Sequence, residues 1–172
     1  KAVNEILLKK PKGMILDLRF NGGGYLDISV DMLSALISGK KVAVQVQERI
    51  PSPPALIYTK DNAKLPDMPL VVLVNKDSAS ASEIVAGALQ DYDRAIVMGE
   101  TTFGKGSVQE IQNLQDGSSL RITTAKWLTP NGRSIDKEGV VPDIAVPFPE
   151  ETPKGEDPQL SSALEQLKKM AK

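Results

Sequence analysis

A mixed α/β fold is what this sequence predicts, and three observations carry the prediction. A short apolar run, Met14 to Leu18, leads through the loop Asn21-Gly22-Gly23-Gly24 into an apolar stripe at helical spacing. A second apolar run, Leu70 to Val74, leads through a serine-rich loop into another helical pattern. After these two strand, loop and helix units the chain turns to strand-like segments separated by turn residues. In sheets of this kind the loops at the carboxyl ends of the strands usually hold the site.

The elements follow in order. Val3, Ile6 and Leu7 have helical spacing, ended by Pro11 and Gly13. Met14 to Leu18 is the first strand, and the glycines after it suit a loop that only unhindered backbone can follow. Leu26, Val30, Leu33 and Ile37 recur at four, three and four residues, an amphipathic helix closed by Gly39. Lys41 to Val46 alternates toward a strand, and Ile50 to Pro54, with three prolines, is extended or loop. Leu70 to Val74 is apolar on both faces and so predicts a fully buried strand. Ser80 opens a helix to about Leu89, with Glu83 three residues on completing a capping box. Ala95 to Met98, Val108 to Ile111 and Leu120 to Trp127 are further strands, and Asn131-Gly132 marks a tight turn. Pro147 to Pro158 is rich in Pro and Glu and reads as an exposed connector to a C-terminal amphipathic helix on Leu160, Leu164, Leu167 and Met170. The chain divides into a core over residues 1–147 and a connector with its helix over 148–172.

Composition narrows the chemistry. The 172 residues contain no Cys and no His. That excludes disulfides, thiolate nucleophiles, Cys-ligated zinc, iron–sulfur clusters, a Ser-His-Asp triad and imidazole metal ligands. Lys plus Arg at 21 against Asp plus Glu at 22 gives a net charge of -1, with the signs mixed along the chain and no nucleic-acid footprint. The apolar runs are a few residues long, far short of the ~20 that cross a bilayer. At roughly 150 residues per domain, one domain is expected.

Nucleophilic chemistry must therefore run on Ser, Thr, Lys, Tyr or carboxylates. In Asn75-Lys76-Asp77-Ser78-Ala79-Ser80-Ala81-Ser82-Glu83 a serine stands at a strand-to-helix corner. There its hydroxyl is exposed, and the next N–H, from Ala81, is free to stabilise an oxyanion at the positive end of the helix dipole. The same stretch also reads as an ordinary serine N-cap in a polar turn. An activated serine without histidine calls for a neutral lysine. At pH 7 a free lysine is neutral in only about one molecule in 2,500, so the base must be desolvated or set near positive charge. Lys105, between Gly104 and Gly106, has the unhindered backbone for a tight site, although Gly-Lys-Gly is equally a flexible turn. Gln109, four residues on, lies on the same face of an extended segment and could orient the amine.

Together these blocks resemble the C-terminal processing, or tail-specific, serine proteases that use a Ser/Lys dyad. The likeness runs from Asp17-Leu18-Arg19 and the glycine loop, through Pro69 to Asn75, Ser78 to Ile84, Gly99 to Gln109 and Leu128 to Ile135, to Val140-Val141-Pro142-Asp143-Ile144. The resemblance implies a core like the ClpP/crotonase fold, a serine endopeptidase cleaving near the C-terminus of protein substrates, and an acyl-enzyme. It places the nucleophile on Ser80, the base on Lys105 and its orienting glutamine on Gln109. The oxyanion hole falls on Ala81 with Gly24 or Gly23. Ser78 and Ser82 are alternative nucleophiles that the corner geometry disfavours. A family position at Asp91 lies about 16 Å from Ser80 along an unbroken helix, which favours a structural role.

No metal or cofactor is implied. The implied partners are substrate C-termini, a PDZ domain elsewhere in the full-length chain and a homo-oligomer, with no nucleic acid. The implied location is extracytoplasmic, in a bacterial periplasm or at a membrane. The sequence departs from the family's pattern in showing no PDZ domain, in beginning inside a helix that follows a core strand, and in carrying Gly22 where proline is common. The first two lead to the expectation of a fragment of a longer chain. Two other readings stand beside the protease: a catalytically silent module of the same fold that binds a peptide or apolar ligand, and a Ser/Lys amidase acting on small amides.

Overall fold

Five consecutive apolar residues with no polar face need a sheet covered on both sides. In the computed structural model, which describes residues 2–49 and 52–171, β4 (Leu70–Val74) is buried at every position. Strand β1 (Met14–Asp17) pairs with it in parallel on one side and β5 (Ile96–Gly99) on the other, with β8 (Ile144–Ala145) parallel beyond β5. Leu70, Val72 and Val74 pack with one cluster, and Val71 and Leu73 with another, as the period of two requires.

The larger cluster lies under α2 (Leu26–Leu36) and α3 (Ala81–Asp91), which supply Leu33, Leu36, Ile84, Val85 and Leu89. Val3 and Ile6 of α1 (Ala2–Lys9) pack at its rim. The opposite face is closed by α4 (Pro158–Met170) through Ala163, Leu167 and Met170. Asp157 caps α4 by accepting the Leu160 N–H at 2.8 Å, with Pro158 in the first turn. Arg19, just past β1, fastens this helix: its guanidinium donates to Asp17 Oδ2 at 2.7 Å, Asp157 Oδ2 at 2.8 Å and Gln159 Oε1 at 3.1 Å. Those carboxylates raise the Arg19 pKa above its usual range, and the Arg19 hydrogen bond holds Asp157 below the usual carboxylate range.

The remaining strands form a separate antiparallel sheet in the order β3-β2-β7-β6, where β2 is Val42–Glu48, β3 Ala55–Tyr58, β6 Ser107–Asn113 and β7 Ser119–Leu128. Its inner end packs on the core through Ala43, Val44 and Trp127, while its outer half is exposed.

Two strands escaped the sequence reading. β3 has four residues straight after a proline pair and β8 has two, both too short to display a period. Ile50 and Pro51, the start of the segment read as extended or loop, lie outside the described residues. Gly39, at φ +77°, sits two residues past an extended Ile37, so it turns the chain rather than capping α2.

Candidate active site

Because β1, β4 and β5 are adjacent and parallel, their carboxyl ends share one edge of the sheet. The loops leaving that edge are the glycine loop, the serine loop and the loop carrying Lys105, so segments some 80 residues apart meet there.

The chain enters α3 through a strained corner. Ser80 has φ +57° and ψ -119°, a combination that costs a non-glycine residue on the order of 1–3 kcal/mol and persists only where the surroundings enforce it. The surroundings are a set of hydrogen bonds within the serine loop and to the segment from Leu18 to Asn21. Ser78, fully buried, donates its hydroxyl to the Leu18 carbonyl at 2.8 Å and accepts the Asn75 N–H at 2.9 Å. Ser82 Oγ donates to the Asn21 carbonyl at 3.0 Å, and the Ala79 N–H donates to the same oxygen at 3.0 Å. Asn75 Oδ1 accepts the Phe20 N–H at 2.9 Å. Ser80 is thus the one serine of the three whose hydroxyl is not tied to the segment that follows β1. The expected capping box is present, the Ser80 side chain facing the Glu83 N–H and the Glu83 side chain the Ser80 N–H. Glu83 Oε2 accepts the Ser80 N–H at 2.8 Å, and the Glu83 N–H also donates to the Ser80 carbonyl at 2.9 Å.

The glycine loop lies directly on this corner. Gly23 has φ +99°, and a Cβ there would fall 2.6 Å from the Ala79 carbonyl oxygen and 2.8 Å from both Ala81 N and Ser80 Cβ, so no side chain fits. The Gly23 N–H donates to Asn21 Oδ1 at 2.9 Å. The N–H groups of Gly24 and Ala81 donate to no acceptor among the described residues. Beside them is a cleft of about 100 Å³ lined by Leu18, Tyr25, Ile28, Met32, Ala81 and Val85.

The Lys105 loop is fixed through its backbone. The Phe103 N–H donates to the Ser78 carbonyl at 3.0 Å, and the N–H groups of Gly104 and Lys105 donate to Glu83 at 2.6 and 2.9 Å. Gly106 passes so close to the next segment that a Cβ would lie 2.1 Å from Asp136 N. The Lys105 side chain is exposed, and among the described residues no hydrogen bond or ion pair joins its ammonium to Ser80 or to any other group. Gln109, in β6 opposite Thr123, is exposed and its side chain is likewise not hydrogen-bonded to Lys105. The fold therefore gathers the backbones of Ser80, Ala81, Gly23, Gly24 and Lys105. It does not join the hydroxyl, the amine and the Gln109 amide in one hydrogen-bonded chain.

Asp91, at the far end of α3, accepts the Asn131 N–H at 2.7 Å and the Arg133 Nε–H at 3.0 Å, which pins the Asn131-Gly132 turn to the helix. Its carboxylate is engaged in structure, as the helix length suggested. Sequence reasoning missed the reach of Glu83 beyond its own helix and the staples made by Asn75, Ser78 and Ser82. A local pattern names a cap but not the second loop that its other oxygen contacts.

Comparisons with known proteins agree with the fold. The chain is 39% identical over 150 residues to the carboxy-terminal processing protease CtpB of Bacillus subtilis (strain 168), covering 87% of this chain and 31% of that protein. It is 44% identical over 160 residues to a carboxy-terminal-processing protease of Bartonella bacilliformis, covering 87% of this chain and 36% of that one. It thus spans about a third of the length of these relatives. Its fold superposes on the photosystem II D1 C-terminal processing protease with a TM-score of 0.80 at 35% identity, covering 96% of this chain and 41% of the other. Residues 1–146 match the model of peptidase family S41, and the chain belongs to that family.

Proposed function

We propose that this chain carries the catalytic centre of a serine endopeptidase that cleaves protein substrates near their C-termini. The observation that carries the reading is the Ser80 corner: a strained serine at a helix N-terminus, with the glycine loop pressed against it. Ser80 Oγ attacks the scissile carbonyl carbon as Lys105 Nζ takes its proton. The developing oxyanion is held by the N–H of Ala81 and one from the glycine loop. Gly24 suits the second place better than Gly23, whose N–H is already given to Asn21. Collapse of the tetrahedral intermediate breaks the C–N bond, Lys105 returns the proton to the leaving amine, and the acyl-enzyme is then hydrolysed by water. This needs the four-carbon Lys105 side chain to swing over Ser80 on a backbone that is already fixed, with Gln109 accepting a hydrogen bond from the amine.

Cleavage of a peptide substrate by the complete protein, compared with its Ser80→Ala and Lys105→Ala variants, tests the reading. Each variant is expected to lose activity by about 10³-fold or more, and a substrate acyl group is expected on Ser80 by mass spectrometry. Wild-type cleavage by either variant removes the dyad. A PDZ domain, a homo-oligomer and an extracytoplasmic location belong to this proposal through the family likeness alone. One observation favours the silent binding module: the exposed Lys105 ammonium is not hydrogen-bonded to Ser80 among the described residues, while Ala81, next to Ser80, lines an apolar cleft. Peptide binding without turnover by the wild type would select it.

A further inference from the structure

Glu83 is fully buried, and no cationic side chain is hydrogen-bonded to it among the described residues. Its carboxylate instead accepts four hydrogen bonds from two different loops. Oε2 takes the Ser80 N–H at 2.8 Å and the Lys105 N–H at 2.9 Å. Oε1 takes the Thr102 hydroxyl at 2.5 Å and the Gly104 N–H at 2.6 Å. Thr102 Oγ1 in turn accepts the Val140 N–H at 2.7 Å, which anchors the arrangement to the segment leading into β8. A buried carboxylate without a counter-ion is costly unless donors surround it, and here both oxygens are filled by donors and the α3 N-terminus adds its dipole.

We infer that Glu83 is a positioning residue that holds Ser80 and Lys105 in register, because one of its oxygens binds the backbone N–H of both. This rests on the Ser80/Lys105 reading and adds to it. The strained Ser80 corner and the Lys105 loop, each held by other hydrogen bonds as well, are tied to one another through that oxygen atom. Fixing both backbones leaves the Lys105 side chain as the part that must move to complete the dyad. Glu83 does not line the apolar cleft beside Ala81, so loosening the clamp is expected to act on the reaction step and not on binding in that cleft.

The substitution Glu83→Gln keeps the shape and replaces one oxygen by an NH2 group, which then faces N–H donors. In the complete protein, assayed well below its melting temperature, Glu83→Gln is expected to lower kcat about 10²-fold and to leave KM within about threefold. The rate at which a fluorophosphonate labels Ser80 should fall by the same factor. Thr102→Val, which removes one of the four donors, should cost about tenfold in kcat, and Thr102→Ser should restore it. A Glu83→Gln enzyme with kcat within threefold of wild type overturns the inference, as does a rise in KM at unchanged kcat. Should Glu83→Gln fail to fold, the Thr102 pair decides: a folded Thr102→Val enzyme with wild-type kcat overturns it. Ser80→Ala, run alongside, separates the two levels. If it is inactive while Glu83→Gln is fully active, the clamp alone falls. If it cleaves like wild type, the dyad and the clamp fall together.

Discussion

The two sheets of this molecule are built on opposite terms. Every side chain of β4 in the parallel sheet is buried, and the polar residues around its carboxyl end, Asn75, Ser78, Ser82 and Glu83, are hydrogen-bonded across to neighbouring loops. In the antiparallel sheet the first five residues of β7 and the last five of β6 are exposed, and Ile111, Leu120 and Ile122 show 61%, 51% and 47% of their surface to solvent. Ser80 and the glycine loop belong to the first region. Lys105 stands where the chain passes from the first to the second, and Gln109 lies wholly in the second. The contrast teaches that backbone precision is supplied by the dry, cross-linked half, while the proposed proton-transfer side chains, Lys105 and Gln109, are exposed at its boundary with the sparsely packed half or beyond it.

Substitutions can break or sharpen this contrast. The largest effect is expected from Leu73→Ala in β4, which should lower unfolding free energy by about 2–5 kcal/mol in urea titration, because the sealed sheet cannot collapse around the void. A loss under about 1 kcal/mol would show that the parallel half is not the tightly packed one. Next is Gly23→Ala, whose methyl would enter the Ala79 carbonyl and Ser80 Cβ at a positive φ. It should reduce kcat/KM about 10²-fold with the circular dichroism spectrum retained, since it displaces the oxyanion donors while leaving the core intact. Gln109→Ala, on the exposed sheet, should cost about tenfold in kcat/KM with no change in melting temperature. An unchanged rate removes Gln109 from the proposed proton-transfer group.

A smaller effect involves the clasp between β1 and α4. Arg19 holds the Asp157 pKa below its ordinary value. The folded carboxylate is thus the weaker base, and its stabilising contribution is complete above about pH 4, near the unfolded value, and disappears as pH falls through the folded one. Asp157→Asn should flatten the acid limb of the stability curve below about pH 4. A limb identical to wild type would show that the clasp adds nothing to the docking of α4. The smallest expected effect is Ile122→Ser, within about 0.5 kcal/mol of wild type. A loss above about 1 kcal/mol would mean that the antiparallel sheet contributes to stability as much as the parallel one.

Much of the fold was legible because its signals are local. The Leu70–Val74 run matches β4 residue for residue, the stripe on Leu26, Val30 and Leu33 forms α2, and Ser80 is the N-cap of α3. β3 and β8 were invisible because strands of four and two residues owe their conformation to a neighbour's hydrogen bonds and not to their own pattern. At the candidate site the Ser80 corner and the need for glycine at Gly23 could be anticipated. That Lys105 Nζ is not hydrogen-bonded to Ser80 Oγ could not, because a long exposed side chain takes its rotamer from its surroundings.

By itself, the sequence determined the class of chemistry open to this protein, the order of its strand, loop and helix units, and the family to which they belong. A composition without His or Cys, the spacing of Ser80 and Lys105, and apolar periods of two and 3.6 are all properties of the chain before it folds. Only the tertiary structure decided which groups answer one another. It brought three carboxyl-terminal loops to one edge, turned Ser78 and Ser82 into staples, occupied the Gly23 N–H while leaving that of Gly24 open, and laid one Glu83 oxygen between the backbones of Ser80 and Lys105. The reason is geometric. Hydrogen-bond partners are chosen by adjacency in space, and adjacency across parallel strands separates in the sequence the residues it joins in the fold.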